Sequence, residues 1–129
     1  NKNMTIQTIE SKKAPKPVGP YSPALKVNDL LFISGQIPLT NDGHLITNDF
    51  EAETRQVLDN ISALLADANC SWKDVVKVNI LTTDLSQFDL INTIYSTYVS
   101  SPFPARAAVQ VAALPKGARI EMEAIAYVK

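Results

Sequence analysis

Residues 102–128, PFPARAAVQVAALPKGARIEMEAIAYV, constrain the fold more than any other part of the chain. Apolar residues alternate there with small or polar ones in the two-residue period of strands, and LPKG at 114–117 interrupts the pattern. The stretch therefore predicts two strands, roughly 105–112 and 119–128. Because so few residues separate them, we expect the two strands to face each other in a hairpin.

One arginine lies at the start of this apolar stretch. A charge among buried residues is costly without a partner, which here would be a protein group, a subunit or a ligand. The alternation gives Arg106 small neighbours such as Ala108, so a cavity can form beside the guanidinium. Its planar fork suits a carboxylate, which makes a small carboxylic acid a natural ligand. The commoner alternative is a solvated or structurally paired arginine.

The last strand has two different faces. One face is apolar and serves the helices: Ile120, Met122, Ala124, Ala126 and Val128. The other carries Glu121, Glu123, Ile125 and Tyr127, a mixture that fits either a surface covered by another subunit or an ordinary solvated face. Glu121 would activate a water if an apolar site raised its pKa. An exposed sheet glutamate is the commoner alternative.

Three further segments favour strands. TIQTI at 5–9 alternates, and ALKVNDLLFIS at 24–34 contains two β-rich runs around Asn28-Asp29, a pair that tolerates a hairpin turn. DVVKVNILTTD at 74–84 is β-branched. The proline-rich KKAPKPVGPYSP at 12–23 predicts an extended loop.

Two segments favour helices. Between Asn48 and Asn69 the apolar residues recur on one helical face, with Asn48 as the expected start and Asn69 as a left-handed stop. Asp84 is expected to cap a second helix with Gln87 in the reciprocal position, and this helix must end before Pro102. Its apolar stripe consists of Phe88, Ile91, Tyr95, Tyr98 and Val99.

These elements predict one α+β domain spanning residues 1–129, with a mixed sheet of about six strands and both helices packed on one face. The length fits a single core. The chain is 46% hydrophobic and 19% charged, as is ordinary for a soluble globular protein.

The charge balance disfavours nucleic acid and membrane surfaces as partners. Twelve Lys and Arg against thirteen Asp and Glu give a formal net charge of −1. The N-terminus has no apolar signal region, and no apolar run approaches the length of a membrane span. A single cysteine suits a reducing compartment, so a cytoplasmic location is the default expectation.

Familiar catalytic and metal-binding patterns are absent from the sequence. His44 is the only histidine and follows Gly43 in a turn, so triads and histidine-based metal sites lack support. Cys70 lies at a helix end without an evident base, and a buried inert thiol is the favoured interpretation. Tyr21 in GPYSP and Ser34 in SGQIP can each offer a hydrogen bond in a cleft, although alone they are turn residues.

Together, several motifs resemble one family. GPYSPA, FISGQIP, TRQVLDNI, VVKVNILTTDL and PARAAVQVAALPKGARIEMEAIA are similar to the reactive intermediate deaminase (Rid, formerly YjgF) family, specifically its RidA subgroup, from about Gly19 to Val128. The resemblance implies a chorismate-mutase-like α+β fold. It also implies a homotrimer in which the sheets form a central barrel, with three clefts between subunits.

The resemblance implies hydrolysis of 2-imino acids, such as 2-iminobutanoate and 2-iminopropanoate, to 2-keto acids and ammonia. These imines equilibrate with enamines such as 2-aminoacrylate and are released by pyridoxal-phosphate enzymes such as threonine dehydratase. The deaminase itself is expected to need no cofactor. Two alternatives remain open: a keto-acid-binding regulatory module without catalysis, and a ribonuclease or translation inhibitor, against which the lack of a basic stripe argues.

Carried onto this chain, the resemblance makes Arg106 the carboxylate-binding arginine and Glu121 the residue that positions the attacking water. Tyr21, Ser34 and Asn92 are expected to line the cleft. Many relatives carry a cysteine two residues after the arginine, where this chain has Ala108. The substitution rules out thiol chemistry there and leaves the backbone groups of Ala108 as expected contacts.

Overall fold

Six strands form one mixed sheet in the computed structural model, which describes residues 5–129. The elements in chain order are β1 Ile6–Ile9, β2 Ala24–Val27, β3 Leu30–Gln36, α1 Phe50–Asp67, β4 Val75–Thr82, α2 Phe88–Tyr95, β5 Ala105–Gln110 and β6 Ile120–Tyr127. Across the sheet the strand order is β1-β2-β3-β6-β4-β5. The predicted mixed sheet with two helices on one face is confirmed.

The hairpin predicted at Asn28-Asp29 is confirmed. β2 pairs antiparallel with β3, and Val27 lies opposite Leu30 across the turn. Asn28 has a φ of 52°, the left-handed conformation that asparagine tolerates better than most residues. Local turn chemistry is therefore sufficient to define this hairpin.

The hairpin expected between the last two strands is wrong. β6 lies between β3 and β4 and is antiparallel to both, whereas β5 pairs parallel with the far side of β4. β4, α2 and β5 thus form a crossover unit, because parallel neighbours cannot be joined by a tight turn. The segment from Val111 to Arg119 carries the chain past β4 to reach β6.

The helix ends follow the predicted chemistry with two shifts. Asp49, not Asn48, caps α1, since its side chain accepts from the Ala52 N–H at 3.2 Å. Asn69 has a φ of 58°, as expected of a left-handed stop. Asp84 caps a short 3-10 helix at Leu85–Gln87 that leads into α2. The Asp84 N–H donates to Thr82 Oγ1, which takes the place of the expected bond to the Gln87 side chain.

One hydrophobic core lies between the helices and one face of the sheet. The apolar face of β6 is fully buried there, as predicted, together with the stripes of both helices. The opposite face of the sheet carries no helix. It exposes large apolar side chains from several strands, among them Leu30, Phe32, Val109 and Tyr127.

A buried ion pair joins the start of α1 to the start of β6. Glu53 is 2% exposed and its carboxylate accepts from the Arg119 guanidinium through two nitrogens, with Nε to Oε1 at 2.9 Å. The same carboxylate accepts from the Asp49 N–H at 3.1 Å. Arg119 also stacks on the Phe50 ring. The pair fixes where the chain enters β6.

Candidate active site

Arg106 projects from the helix-covered face of edge strand β5. It lies beside Val78 of β4, and Val78 lies beside Ala124 of β6, both buried beneath the helices. Residues paired across strands share a face, so Arg106 points toward α2. Its Cζ lies 5.1 Å from the ring centroid of Tyr95 and 5.4 Å from that of Phe88.

The Arg106 guanidinium is held by aromatic faces without a counter-ion. Within residues 5–129 it makes no salt bridge and no hydrogen bond, whereas Arg119 is paired with Glu53. Cation–π contact favours a guanidinium over a ring but uses none of its five N–H donors. The half-buried Arg106 therefore retains its full hydrogen-bonding capacity for a ligand.

A cavity of about 260 Å³ opens beside this guanidinium. Its lining consists of Asn92, Tyr95, Ser96, Val99, Phe103, Pro104 and Arg106. The Asn92 side chain makes no hydrogen bond to any described residue, so its amide is available to a ligand. Ala108 follows on the same face and packs against the core. The structure thus brings Arg106 and Asn92 together, as the sequence predicts.

Glu121 lies on the opposite face of the sheet. It pairs with Leu81 of β4, and its chain neighbours Ile120 and Met122 are buried on the helix side. Because β4 separates β5 from β6, Glu121 does not face Arg106 within one protomer. The expectation that the two lie on facing strands is wrong, since it depended on the incorrect hairpin.

The Glu121 carboxyl occupies space that a glycine leaves free. A Cβ built at Gly35 would lie 2.8 Å from Glu121 Cδ, so any larger residue at 35 would displace this carboxylate. Burial raises the pKa of Glu121, and the negative charge of Glu123 raises it further. A carboxyl that is harder to ionise is correspondingly a better proton acceptor once ionised.

Tyr21 and Ser34 lie on the same side of the molecule as Glu121. Tyr21 and Gly35 line one small crevice of the proline-rich loop, and the Val18 N–H donates to the Tyr21 hydroxyl at 3.3 Å. Ser34 donates to the Ser22 carbonyl at 2.6 Å and lines a groove with Asn79 and Glu123.

The predicted site residues therefore fall into two groups. We call Arg106, Asn92 and Ala108 the arginine half-site, and Glu121, Ser34 and Tyr21 the glutamate half-site. Sequence reasoning missed the role of Phe88 and Tyr95 as stacking partners, because aromatic residues in a helical stripe usually indicate core packing. It also missed Gly35 as the residue that makes room for Glu121.

The other candidate groups are inert or exposed. Burial raises the pKa of the Cys70 thiol, which disfavours the reactive thiolate. His44 is exposed and contacts Asp42 in its turn. In the part of the chain that the structure describes, no cluster of three or more His, Cys, Asp or Glu side chains forms a metal-binding arrangement. None of the helices in residues 5–129 is long and apolar enough to cross a membrane.

One mixed sheet with two helices on one face, a β4-α2-β5 crossover and an unpaired arginine at its edge define a class of small α+β proteins. The family model described as endoribonuclease L-PSP matches residues 11–128. The human 2-iminobutanoate/2-iminopropanoate deaminase is 46% identical over 121 residues, which cover 93% of this chain and 88% of the human protein. The chain belongs to the Rid family and is RidA-like.

Solved structures agree with this assignment. A protein of unknown function of the Rid family from Yersinia pestis is 46% identical with a TM-score of 0.93, covering 96% of this chain and 100% of that one. Escherichia coli TdcF with bound serine is 34% identical with a TM-score of 0.90, covering 95% and 99%. The expected YjgF-type fold is thus confirmed.

Proposed function

We propose that this protein is a deaminase that hydrolyses 2-imino acids, such as 2-iminobutanoate and 2-iminopropanoate, to 2-keto acids and ammonia. The observation that carries the proposal is the Arg106 guanidinium, which is free of any carboxylate partner within residues 5–129 and lies beside a cavity. The deaminase activity named for the human relative supports the same reaction class.

Arg106 binds the substrate carboxylate in this proposal. Two parallel N–H donors match the two carboxylate oxygens, and the pair is strong because both partners are charged. The rings of Phe88 and Tyr95 restrict the guanidinium before the ligand arrives, which reduces the entropy lost on binding. Asn92 supplies a second polar contact at the cavity wall.

Glu121 activates the attacking water. The water adds to the iminium carbon while Glu121 accepts one of its protons, and that proton then passes to the carbinolamine nitrogen. As the C–N bond breaks, the hydroxyl oxygen forms the keto group and gives up its proton through Glu121 to the released ammonia. The products are a 2-keto acid and ammonium, so atoms and charge balance without an electron acceptor. Imines already hydrolyse in water, so positioning alone gives a modest acceleration.

Both half-sites meet one substrate only if neighbouring subunits supply them. Arg106 and Glu121 lie on opposite faces of one protomer's sheet, separated by β4. The helix-free face exposes Phe32, Val109 and Tyr127, an apolar surface of the kind that subunits cover. The proposed assembly is a homotrimer with the open faces turned inward as a barrel and the sites at the subunit boundaries.

A regulatory role without turnover is the first competing function. TdcF was solved with bound serine, which shows that a relative holds a small molecule carrying a carboxylate. A protein that only senses keto acids would bind 2-oxobutanoate without accelerating imine hydrolysis. Measuring turnover and keto-acid affinity on one preparation separates the two functions.

Ribonuclease activity is the second competing function, and the description of the matching family model is what favours it. The net charge of −1 gives the chain no general attraction for a phosphate backbone. RNA cleavage that co-purifies with the protein and is lost in the Arg106→Ala variant would support this function, because a contaminating nuclease would not respond to that substitution.

The Arg106→Ala variant tests the proposed deaminase. Added to threonine dehydratase with L-threonine, the wild-type protein should speed 2-oxobutanoate release, and Arg106→Ala should lower that acceleration by about a hundredfold, since a charged bidentate contact is lost. Arg55→Ala is the matched control, because Arg55 is a surface arginine paired with Glu51 on α1. Unchanged turnover in Arg106→Ala would refute the site.

A further inference from the structure

The cavity beside Arg106 is larger and more apolar than a carboxylate requires. Tyr95, Val99, Phe103 and Pro104 form most of its wall. Phe103 is 66% exposed and marks the outer edge, while Val99 and Tyr95 are buried at the inner side. A small polar substrate would leave this apolar surface uncovered.

The cavity volume decides which substrate side chains can fill it. At about 260 Å³, the cavity has room for the four-atom side chains of leucine and methionine. A methyl or ethyl group would occupy a smaller part of it. The larger chains also cover apolar wall that otherwise contacts water.

We propose that this cavity receives the side chain of the bound 2-imino acid, and that the protein prefers 2-imino acids with branched or long apolar chains over those with methyl or ethyl groups. The inference rests on the proposed deaminase function and places the substrate carboxylate on Arg106. Each additional buried carbon favours the transition state, and two of them together amount to about tenfold in kcat/KM.

Ser96 gives direct access to the cavity without disturbing the core. It is exposed, lines the cavity, and its Oγ donates to the Thr93 carbonyl at 2.7 Å. Its neighbour Thr97 is also exposed, and Oγ1 of Thr97 donates to the Ile94 carbonyl at 2.6 Å, but Thr97 does not line the cavity. Ser96→Leu therefore fills the cavity, and Thr97→Leu is its matched control.

The experiment compares imines made in situ by an amino-acid oxidase from L-alanine, L-2-aminobutanoate, L-leucine and L-methionine. The measurement is the acceleration of hydrolysis over the spontaneous rate of each imine. For the wild-type protein we expect kcat/KM about tenfold higher with the leucine-derived imine, whose side chain has two more carbons, than with the 2-aminobutanoate-derived one. Ser96→Leu should remove this preference by lowering the leucine value, and Thr97→Leu should retain it.

Three results would overturn the inference. Acceleration of the small imines with no gain for leucine or methionine would refute the side-chain cavity and leave the deaminase intact. Equal losses for all imines in Ser96→Leu, with the fold retained by circular dichroism, would refute the cavity as a specificity determinant. No acceleration of any imine would refute the deaminase and this inference together.

Discussion

At the scale of single residues, two arginines of the same C-terminal stretch differ in whether a carboxylate neutralises them. Arg119 is neutralised by the buried Glu53, with which it shares two contacts. Arg106 lies over the rings of Phe88 and Tyr95 and has no ion-pair or hydrogen-bond partner for its guanidinium among the described residues. Sequence alternation cannot distinguish the two, because the counter-ion of Arg119 comes from α1, 66 residues away. Only the folded chain shows which guanidinium is available to a ligand.

Tyr95 separates the effect of a ring from that of its hydroxyl. The hydroxyl is buried and has no hydrogen-bond partner among the described residues, and such a group costs about 1 kcal/mol or more. Tyr95→Phe should therefore raise the free energy of unfolding by about 1 kcal/mol in urea titrations. Because the ring over Arg106 remains, KM should rise less than in Tyr95→Leu. A Tyr95→Phe variant less stable than wild type would mean that the hydroxyl has a partner after all.

The raised pKa of Glu121 predicts the pH dependence of activity. Its carboxyl must be ionised to accept a proton, so the acid limb of the rate profile should lie above the ordinary value of 4.5. Glu123→Gln removes the second cause of the shift and should move that limb to lower pH. The profile of acceleration against pH measures both. A limb that stays in place in Glu123→Gln would assign it to another group.

The same shift has an opposite consequence for stability. A carboxyl whose pKa is raised by folding binds its proton more tightly in the native state, so folding becomes less favourable as pH rises from 4.5 through the raised value. At neutral pH, Glu121→Gln removes this cost. The variant should melt at a higher temperature than wild type at neutral pH while losing activity, as expected of a residue retained for function.

At the scale of elements, the sequence predicted those features of the fold that depend on neighbouring residues. The turn at Asn28, the stop at Asn69 and the strand alternation of β6 depend on residues close in sequence, and all three are confirmed. The partner of β6 depends on contacts far along the chain, so proximity to β5 misled the prediction. The β4-α2-β5 order itself favours a parallel crossover, and this was the signal available.

The Glu53–Arg119 pair predicts a stability effect at the junction of α1 and β6. Arg119→Met leaves the buried Glu53 carboxylate without its partner, which should lower the free energy of unfolding by about 2 kcal/mol. This loss is smaller than for a fully buried pair, because the Arg119 side chain is 42% exposed. Adding Glu53→Met should recover most of the loss, since no unpaired charge remains. Chemical denaturation of the single and double variants measures the coupling. Equal losses in both would indicate packing rather than charge as the cause.

At the scale of the whole molecule, the two half-sites constrain any assembly. A heterologous interface joins different surfaces of neighbouring copies, so it can bring the helix-side Arg106 of one subunit to the open-face Glu121 of the next. An isologous dimer would instead pair equal surfaces. The proposed closed ring of three would have three such boundaries, and in this proposal each boundary needs one intact arginine and one intact glutamate.

Mixed assemblies test this arrangement directly. Arg106→Ala and Glu121→Gln should each be inactive alone, because every boundary lacks one group. The two variants are co-expressed at equal levels so that they assemble at random. A boundary then has both groups when a Glu121→Gln subunit supplies the arginine and an Arg106→Ala subunit supplies the glutamate. This combination occurs at about a quarter of boundaries. The unfractionated mixture should therefore recover about 25% of wild-type acceleration, and heterotrimers isolated through two different tags about a third, since each of them has one restored boundary of three. If both groups acted within one protomer, every heteromer would be inactive despite correct assembly, and the shared site would be disproved.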